Sequence, residues 1–263
     1  MNIRELSYSR HFLVVADGKH FPEKAYQAAS LFAKGFAKGL TLLALGDASE
    51  EFINIAESKR QEADYPFIFE SCQGTLIDVC DLSERTETPI IFFEITKKGT
   101  YSHLMNIFKG LRDLRIPFVL VKEDTSKIDF SNIIVPIGYL VEEKEKAPYS
   151  SNMGRFLHSQ ILLLQANDYG SKTAKNVESI RSLFDKFNLK YELRKAVNDS
   201  FKVEKEAVSI AAKEKAGMVI ISTSRDYGLD DMFFGPKELH ILKATTVPLM
   251  CINPRGDLYV LCW

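Results

Sequence analysis

Apolar residues fall in short consecutive runs, and between the runs they recur at helical spacing. The first run is a strand over 11–17, with Phe12, Leu13, Val14, Val15 and Ala16. Ala25, Ala28, Ala29, Phe32, Ala33 and Phe36 follow at the i, i+3, i+4 spacing of a helix over about 22–38. The same alternation predicts strands at 41–45, 66–69, 90–95 and 117–121, with helices over about 48–62, 74–85 and 101–114 between them. It then starts again. Strands are expected at 132–137, 160–166, 190–195, 218–222 and 248–252, and helices at about 142–158, 172–187, 202–215 and 236–244. A strand that is apolar on consecutive positions must be covered on both faces. Helices alternating with such strands make an α/β protein with parallel sheets.

The two halves also end alike. Leu111 to Val121 and Leu242 to Ile252 each read as the last turns of a helix, a short break, and a Pro opening a buried strand (Pro117 and Pro248). Pro is tolerated there because the first residue of a strand can forgo a ladder donor. Phe12 to Gly18 and Ile133 to Gly138 open the halves in the same way. One five-stranded unit has been used twice. Domains are expected at 1–126 and 127–263, joined through a polar linker near 122–127. The segment 255–263, with the aromatic end Tyr259 to Trp263, has no counterpart in the first half. It is read either as an added edge strand or as a docking strand for a partner.

Composition narrows the function. A formal net charge of -1 lacks the basic excess of a nucleic-acid binder. No window approaches the roughly 18 uncharged apolar residues of a membrane span, and the N-terminus lacks the apolar core of a secretory signal. Cys72, Cys80, Cys251 and Cys262 show no metal-ligand spacing and read as reduced thiols. A cytoplasmic protein without nucleic-acid or membrane partners is expected. His11, His20, His103, His158 and His240 are scattered without acidic or thiol partners, and no GxSxG, HExxH, GxxxxGK or CxxC motif is present. No enzyme is expected; an adenylating enzyme is the weakest of three readings. The stretch from Gly35 to Gly39 reads as a helix end with Gly in the C′ region.

The element order and the helix-Pro-strand endings resemble the universal stress protein family in its tandem two-domain form. The resemblance implies two Rossmann-like domains forming a pseudo-dimer, with Phe118–Val121 and Leu249–Ile252 near each other across a pseudo-two-fold axis. It also implies a nucleotide loop after the fourth strand, of pattern G-x2-G-x9-G-(S/T), and an Asp ending the first strand. Glycines let the backbone approach phosphates, and the helix that follows offers free N–H groups to an anion. Counting back from the strand Pro, the second half keeps Gly235, but Ser222 and Arg225 replace the first two glycines. Pro236 replaces the hydroxyl residue, Gly138 stands in place of the Asp, and Asp230 and Asp231 add adverse charge. In the first half Glu94, Lys97, Leu104 and Met105 occupy the four motif positions, yet Asp17 is retained.

Asp17 is therefore read in two ways: it orients a base or ribose, or it turns the chain with Gly18. Lys97, Lys98, Gly99 and Thr100, between a strand end and a helix start, form either an anion site or a solvated turn with Thr100 as the helix cap. Any small-molecule binding is expected in the first half alone, through Asp17, Lys97, Lys98 and Thr100. No resident cofactor or metal is expected, only weak AMP or ATP binding there. The function expected is a non-catalytic stress-response or regulatory one with a degenerate nucleotide motif, acting through an unidentified protein partner or ligand. The alternative is an AMP, ATP or anionic-metabolite binding module using the first half. A homo-oligomer is left open.

Overall fold

The computed structural model describes residues 3, 6, 8–96, 101–224 and 236–255, without the side chains of 101–103. Two compact units divide at Thr125 and Ser126. In unit 1, strands β1 (Phe12–Ala16), β2 (Leu40–Leu45), β3 (Phe67–Cys72), β4 (Ile91–Ile95) and β5 (Phe118–Lys122) alternate with helices α1 (Glu23–Gly35), α2 (Glu50–Glu62), α3 (Leu76–Arg85) and α4 (Tyr101–Gly110). The strands are parallel, in the order β3-β2-β1-β4-β5. Phe12, Leu13, Val14 and Val15 are all buried, as a strand covered on both faces requires. Helix α1 lays its Ala-rich stripe on β1 and β4. Small side chains there let Phe32 reach the sheet, where it meets Phe12 and Phe92 edge-on at centroid distances of 5.7 and 5.3 Å.

Local chemistry sets the helix starts. Ser49 accepts the Phe52 N–H at 3.2 Å to open α2. Thr75 and Asp78 form a reciprocal capping box at α3. The end of α1 differs from the reading of its glycines. Ala37, at φ 50°, takes the left-handed position, and the Lys38 N–H returns to the Ala33 carbonyl at 2.9 Å. Gly39 serves close approach instead, because a Cβ there would overlap the His11 ring. Strand β3 also runs past the expected 66–69 to Cys72. Glu70 and Ser71 pair with Leu43 and Ala44 on the outer side of the sheet, where one face stays half-exposed and polar residues are accommodated.

Unit 2 repeats the order. Strands β6 (Asn132–Ile137), β7 (Gln160–Gln165), β8 (Tyr191–Lys195), β9 (Met218–Ser222) and β10 (Leu249–Ile252) alternate with α5 (Lys146–Phe156), α6 (Lys172–Lys186), α7 (Val203–Glu214) and α8 (Lys237–Ala244). They lie parallel in the order β10-β9-β6-β7-β8. One element departs from expectation. The helix predicted over 142–158 is a 3-10 turn, Val141–Glu145, followed by α5. Pro148 explains the later start. In a helix opening at 142 its ring would sit in the interior and meet the Lys144 carbonyl, whereas in the first turn of α5 its missing N–H costs nothing. No described helix is long and apolar enough to cross a membrane.

Candidate functional site

In each unit the chain leaves two neighbouring central strands in opposite directions, β1 and β4 in the first, β6 and β9 in the second. The carboxyl ends of such a pair are where open α/β sheets bind ligands. Asp17 follows β1 at this point. Its Oδ1 accepts the backbone N–H of Lys19 at 2.8 Å and of His20 at 3.2 Å. Gly18, at φ +75°, passes so near the next loop that a Cβ would lie 3.0 Å from the Asp47 carbonyl oxygen. The described geometry of Asp17 is thus that of an Asx turn, with Oδ2 facing solvent and His20 Nδ1 at 3.9 Å. Lys97, Lys98 and Thr100 lie outside the described residues, as does Gly99.

Glu94 is the group at this crevice that sequence reading assigned no structural role. It sits one residue from the end of β4, and its Oε2 accepts the N–H groups of Lys24 at 2.6 Å and Ala25 at 3.2 Å. Those are first-turn donors of α1, whose N-cap residue Pro22 supplies no side-chain cap. A carboxylate from the sheet therefore occupies the anion position of α1. Burial pushes the Glu94 carboxyl up, partly offset by the two N–H donors, with Glu123 and Glu23 adding to the rise. A lone acid inside Phe92-Phe93-Glu94-Ile95 is the signal that pointed to it.

Unit 2 carries a larger arrangement. Lys146 is completely buried, and its Nζ donates to the Pro136 carbonyl at 2.7 Å and to Glu143 Oε2 at 2.8 Å. Glu143 also accepts the Gly138 N–H at 2.9 Å. Glu204 stands 3.9 Å from the Lys146 ammonium and 3.0 Å from that of Lys237. Burial alone would push the Glu143 carboxyl up, but the charge and hydrogen bond of Lys146 and the Gly138 N–H hold it below its usual range. Burial likewise works against the Lys237 charge, while Glu204 and Glu143 more than restore it, so its pKa lies above the ordinary value. Gly138 cannot be replaced freely by the acid that unit 1 has at this point. A Cβ there would lie 2.8 Å from Ser200 Oγ.

Glu238 sits at the helix terminus after β9. It is fully buried in the first turn of α8, and its carboxyl accepts the Ser224 N–H. Burial raises its pKa against the Ser224 N–H and Lys237. One of its oxygens thus holds the N–H where the chain leaves β9, and the other finds no hydrogen-bond partner among the described residues. Pro236 contributes no donor. Ser222 is buried at the end of β9 with a hydroxyl that finds no hydrogen-bond partner among the described residues. Arg225, Asp230, Asp231 and Gly235 lie outside the described residues.

Beside these groups a cavity of about 480 Å³ opens at the carboxyl ends of β6 and β9. Its described lining comprises Gly138, Tyr139, Leu140, Glu142, Glu143, Ser200, Phe201, Val203, Glu204, Thr223, Ser224 and Lys237. Sequence reading put small-molecule binding in the first half; this cavity lies in the second. Among the described residues no group of His, Cys, Asp and Glu is arranged to hold a metal ion. Cys72, Cys80 and Cys251 are free thiols, and burial pushes all three pKa values up.

No family model and no curated protein sequence matches this chain. Solved structures do. A universal stress protein from Archaeoglobus fulgidus DSM 4304 superposes with a TM-score of 0.66 at 12% identity, over 94% of this chain and 100% of its own. A putative universal stress protein from Pseudomonas aeruginosa UCBPP-PA14 gives 0.60 at 15% identity, over 94% of each chain. The cytoplasmic domain of a prokaryotic cation chloride cotransporter gives 0.59 at 11% identity, over 97% of this chain and 100% of its own. At these identities the likeness establishes the fold, and the fold is that of the universal stress proteins.

Proposed function

We propose that this chain is a non-catalytic regulatory protein of the universal stress type, in which internal carboxyl groups have taken the place of a bound polyphosphate. One observation carries the reading. Glu238, in the first turn of α8 in unit 2, accepts the Ser224 N–H where the chain leaves β9, beside the helix terminus where the resemblance puts a phosphate. Glu94 in unit 1 holds the N-terminus of α1 beside β4. A triphosphate entering either crevice would have to displace a protein carboxyl and then face it. No acid, base and nucleophile converge among the described strand-end groups in the way catalysis needs, which supports a binding or signalling role.

Native mass spectrometry of the purified full chain tests this. The expected spectrum has no nucleotide adduct, before or after addition of ATP. A stoichiometric adduct of the mass of AMP or ATP would favour the alternative, a nucleotide module in unit 1.

A further inference from the structure

Unit 2 carries a second surface at the carboxyl end of its sheet. The loops after β7 and β8 lie beyond β6, on the side of the sheet away from β9. Hydrogen bonds tie them to each other. The Asn167 N–H donates to the Asn198 carbonyl at 2.8 Å. Asp168 accepts the Ser200 N–H at 2.9 Å and the hydroxyls of Ser200 and Thr173. Glu206, from α7, accepts the N–H groups of Val197 and Asn198, both at 2.9 Å. From this frame three large apolar side chains stand in water, Tyr169 fully exposed, Val197 83% exposed and Phe201 80% exposed. Phe201 is at the lip of the cavity, and Tyr169 and Val197 lie outside it. Single exposed apolar residues are ordinary, but three on two loops fixed by hydrogen bonds mark a contact surface.

The charge around these loops selects the partner. Lys172 and Lys175 open α6, Lys195 ends β8, and Lys202 and Lys205 stand at the start of α7. All five are exposed, and none has an ion pair or side-chain hydrogen bond among the described residues. The acids of the same loops are engaged with the loops themselves. Asp168 and Glu206 are half-buried in the bonds just given, and Asp199, which is exposed, accepts the Phe201 N–H at 3.2 Å. The outer charge is therefore cationic, and it surrounds apolar tips. A fully exposed Tyr touches little of its own chain, so these tips make no groove for a rigid partner. A bilayer interface takes up apolar tips without a matching shape, while lysines around them meet anionic headgroups. The net charge of -1 averages this face with the rest of the chain, and anchoring through loop tips needs no spanning helix.

We propose that the loops after β7 and β8 form a docking surface for an anionic lipid bilayer, the three apolar side chains entering the headgroup layer and the lysines meeting lipid phosphates. The test is flotation of the full chain with vesicles of phosphatidylcholine alone, and of phosphatidylcholine mixed equally with phosphatidylglycerol. Binding to the mixed vesicles is expected to be at least about ten-fold tighter. It should weaken by about ten-fold or more between roughly 0.1 M and 1 M salt, as screening shortens from about 10 to about 3 Å. The double variants Val197→Ser/Phe201→Ser and Lys195→Gln/Lys202→Gln should each weaken it by about ten-fold. Ile77→Ser, at an exposed apolar position on α3, should leave it unchanged. These positions are all at the surface, so urea midpoints should stay those of the unmodified protein. Equal binding to both vesicle types, an unmoved affinity in either double variant, or no binding would overturn the proposal. Capture on poly-glutamate beads without vesicle binding would assign the surface to an acidic protein segment and overturn it as well. None of these outcomes bears on nucleotide binding, so the regulatory reading stands or falls separately.

Discussion

Lys146→Met is expected to destabilise unit 2 by about 3–5 kcal/mol, a fall of roughly 10–15 °C in its unfolding temperature. The side chain is wholly buried and of similar volume to Met, so the loss is one of charge. Removing the ammonium strands Glu143 without its 2.8 Å partner and leaves the Pro136 carbonyl unpaired. A buried pair broken on one side costs far more than the pair contributes. Adding Glu143→Gln, which still accepts from Gly138, should therefore recover about half of the loss. The pH dependence follows from the sign of the Glu143 shift. In the native protein its carboxyl is held below the ordinary range, so its contribution is complete above the unfolded value of about 4.3 and is lost as pH falls through the lower folded value. In Lys146→Met, burial is opposed only by the Gly138 N–H and the charge of Lys237, so the carboxyl rises and the variant loses less stability than the native protein as pH falls. Urea denaturation at pH 7 and pH 4 should show the gap between the two proteins narrowing toward pH 4. A gap that is the same at both pH values would contradict the pairing.

Gly217→Ala is the second large effect expected. Gly217 precedes β9 and donates its N–H to the Asn132 carbonyl at 2.7 Å, fixing the start of the β6–β9 pair. A Cβ there would fall inside the Asp129 carbonyl, a backbone group with no side-chain freedom to yield. The strand ends must part, at a cost of about 3 kcal/mol or more. Gly46→Ala is the comparison. Gly46 has φ +105° and open space around its Cβ, so only backbone strain of about 1 kcal/mol applies. Chemical denaturation of the two variants should separate them by at least about 2 kcal/mol. Equal stability would mean that the 129–132 segment does not close on β9 as described.

The parallel strands were legible because each buries consecutive apolar residues, and burial on both faces leaves no alternation to misread. The helix-Pro-strand endings gave the repeat for the same reason. What escaped reading depends on partners distant in sequence. Glu142 to Lys146 has the composition of a solvated helix face, yet Glu143 and Lys146 turn inward because Glu204 and Lys237 meet them from α7 and the start of α8. Pro148 was the local sign that the helix starts late. Glu94 was legible as adverse to an anion, but its bond to the first turn of α1 joins residues about 70 apart in the chain. Glu238 gave no signal, because a Glu in a first helical turn is ordinary. Asp17 was evenly poised between two readings, and its hydrogen bonds to Lys19 and His20 favour the turn.

Calorimetric titration of the full chain with ATP, with and without magnesium, tests most directly whether carboxyl groups have replaced the polyphosphate. The account predicts no saturable heat up to millimolar ATP, a dissociation constant weaker than about 1 mM, corresponding to less than about 4 kcal/mol. Saturable binding of ATP with a dissociation constant below about 10 µM would contradict it, since the crevice where Glu94 holds the N-terminus of α1, or the one where Glu238 holds the Ser224 N–H, would then have admitted the polyphosphate.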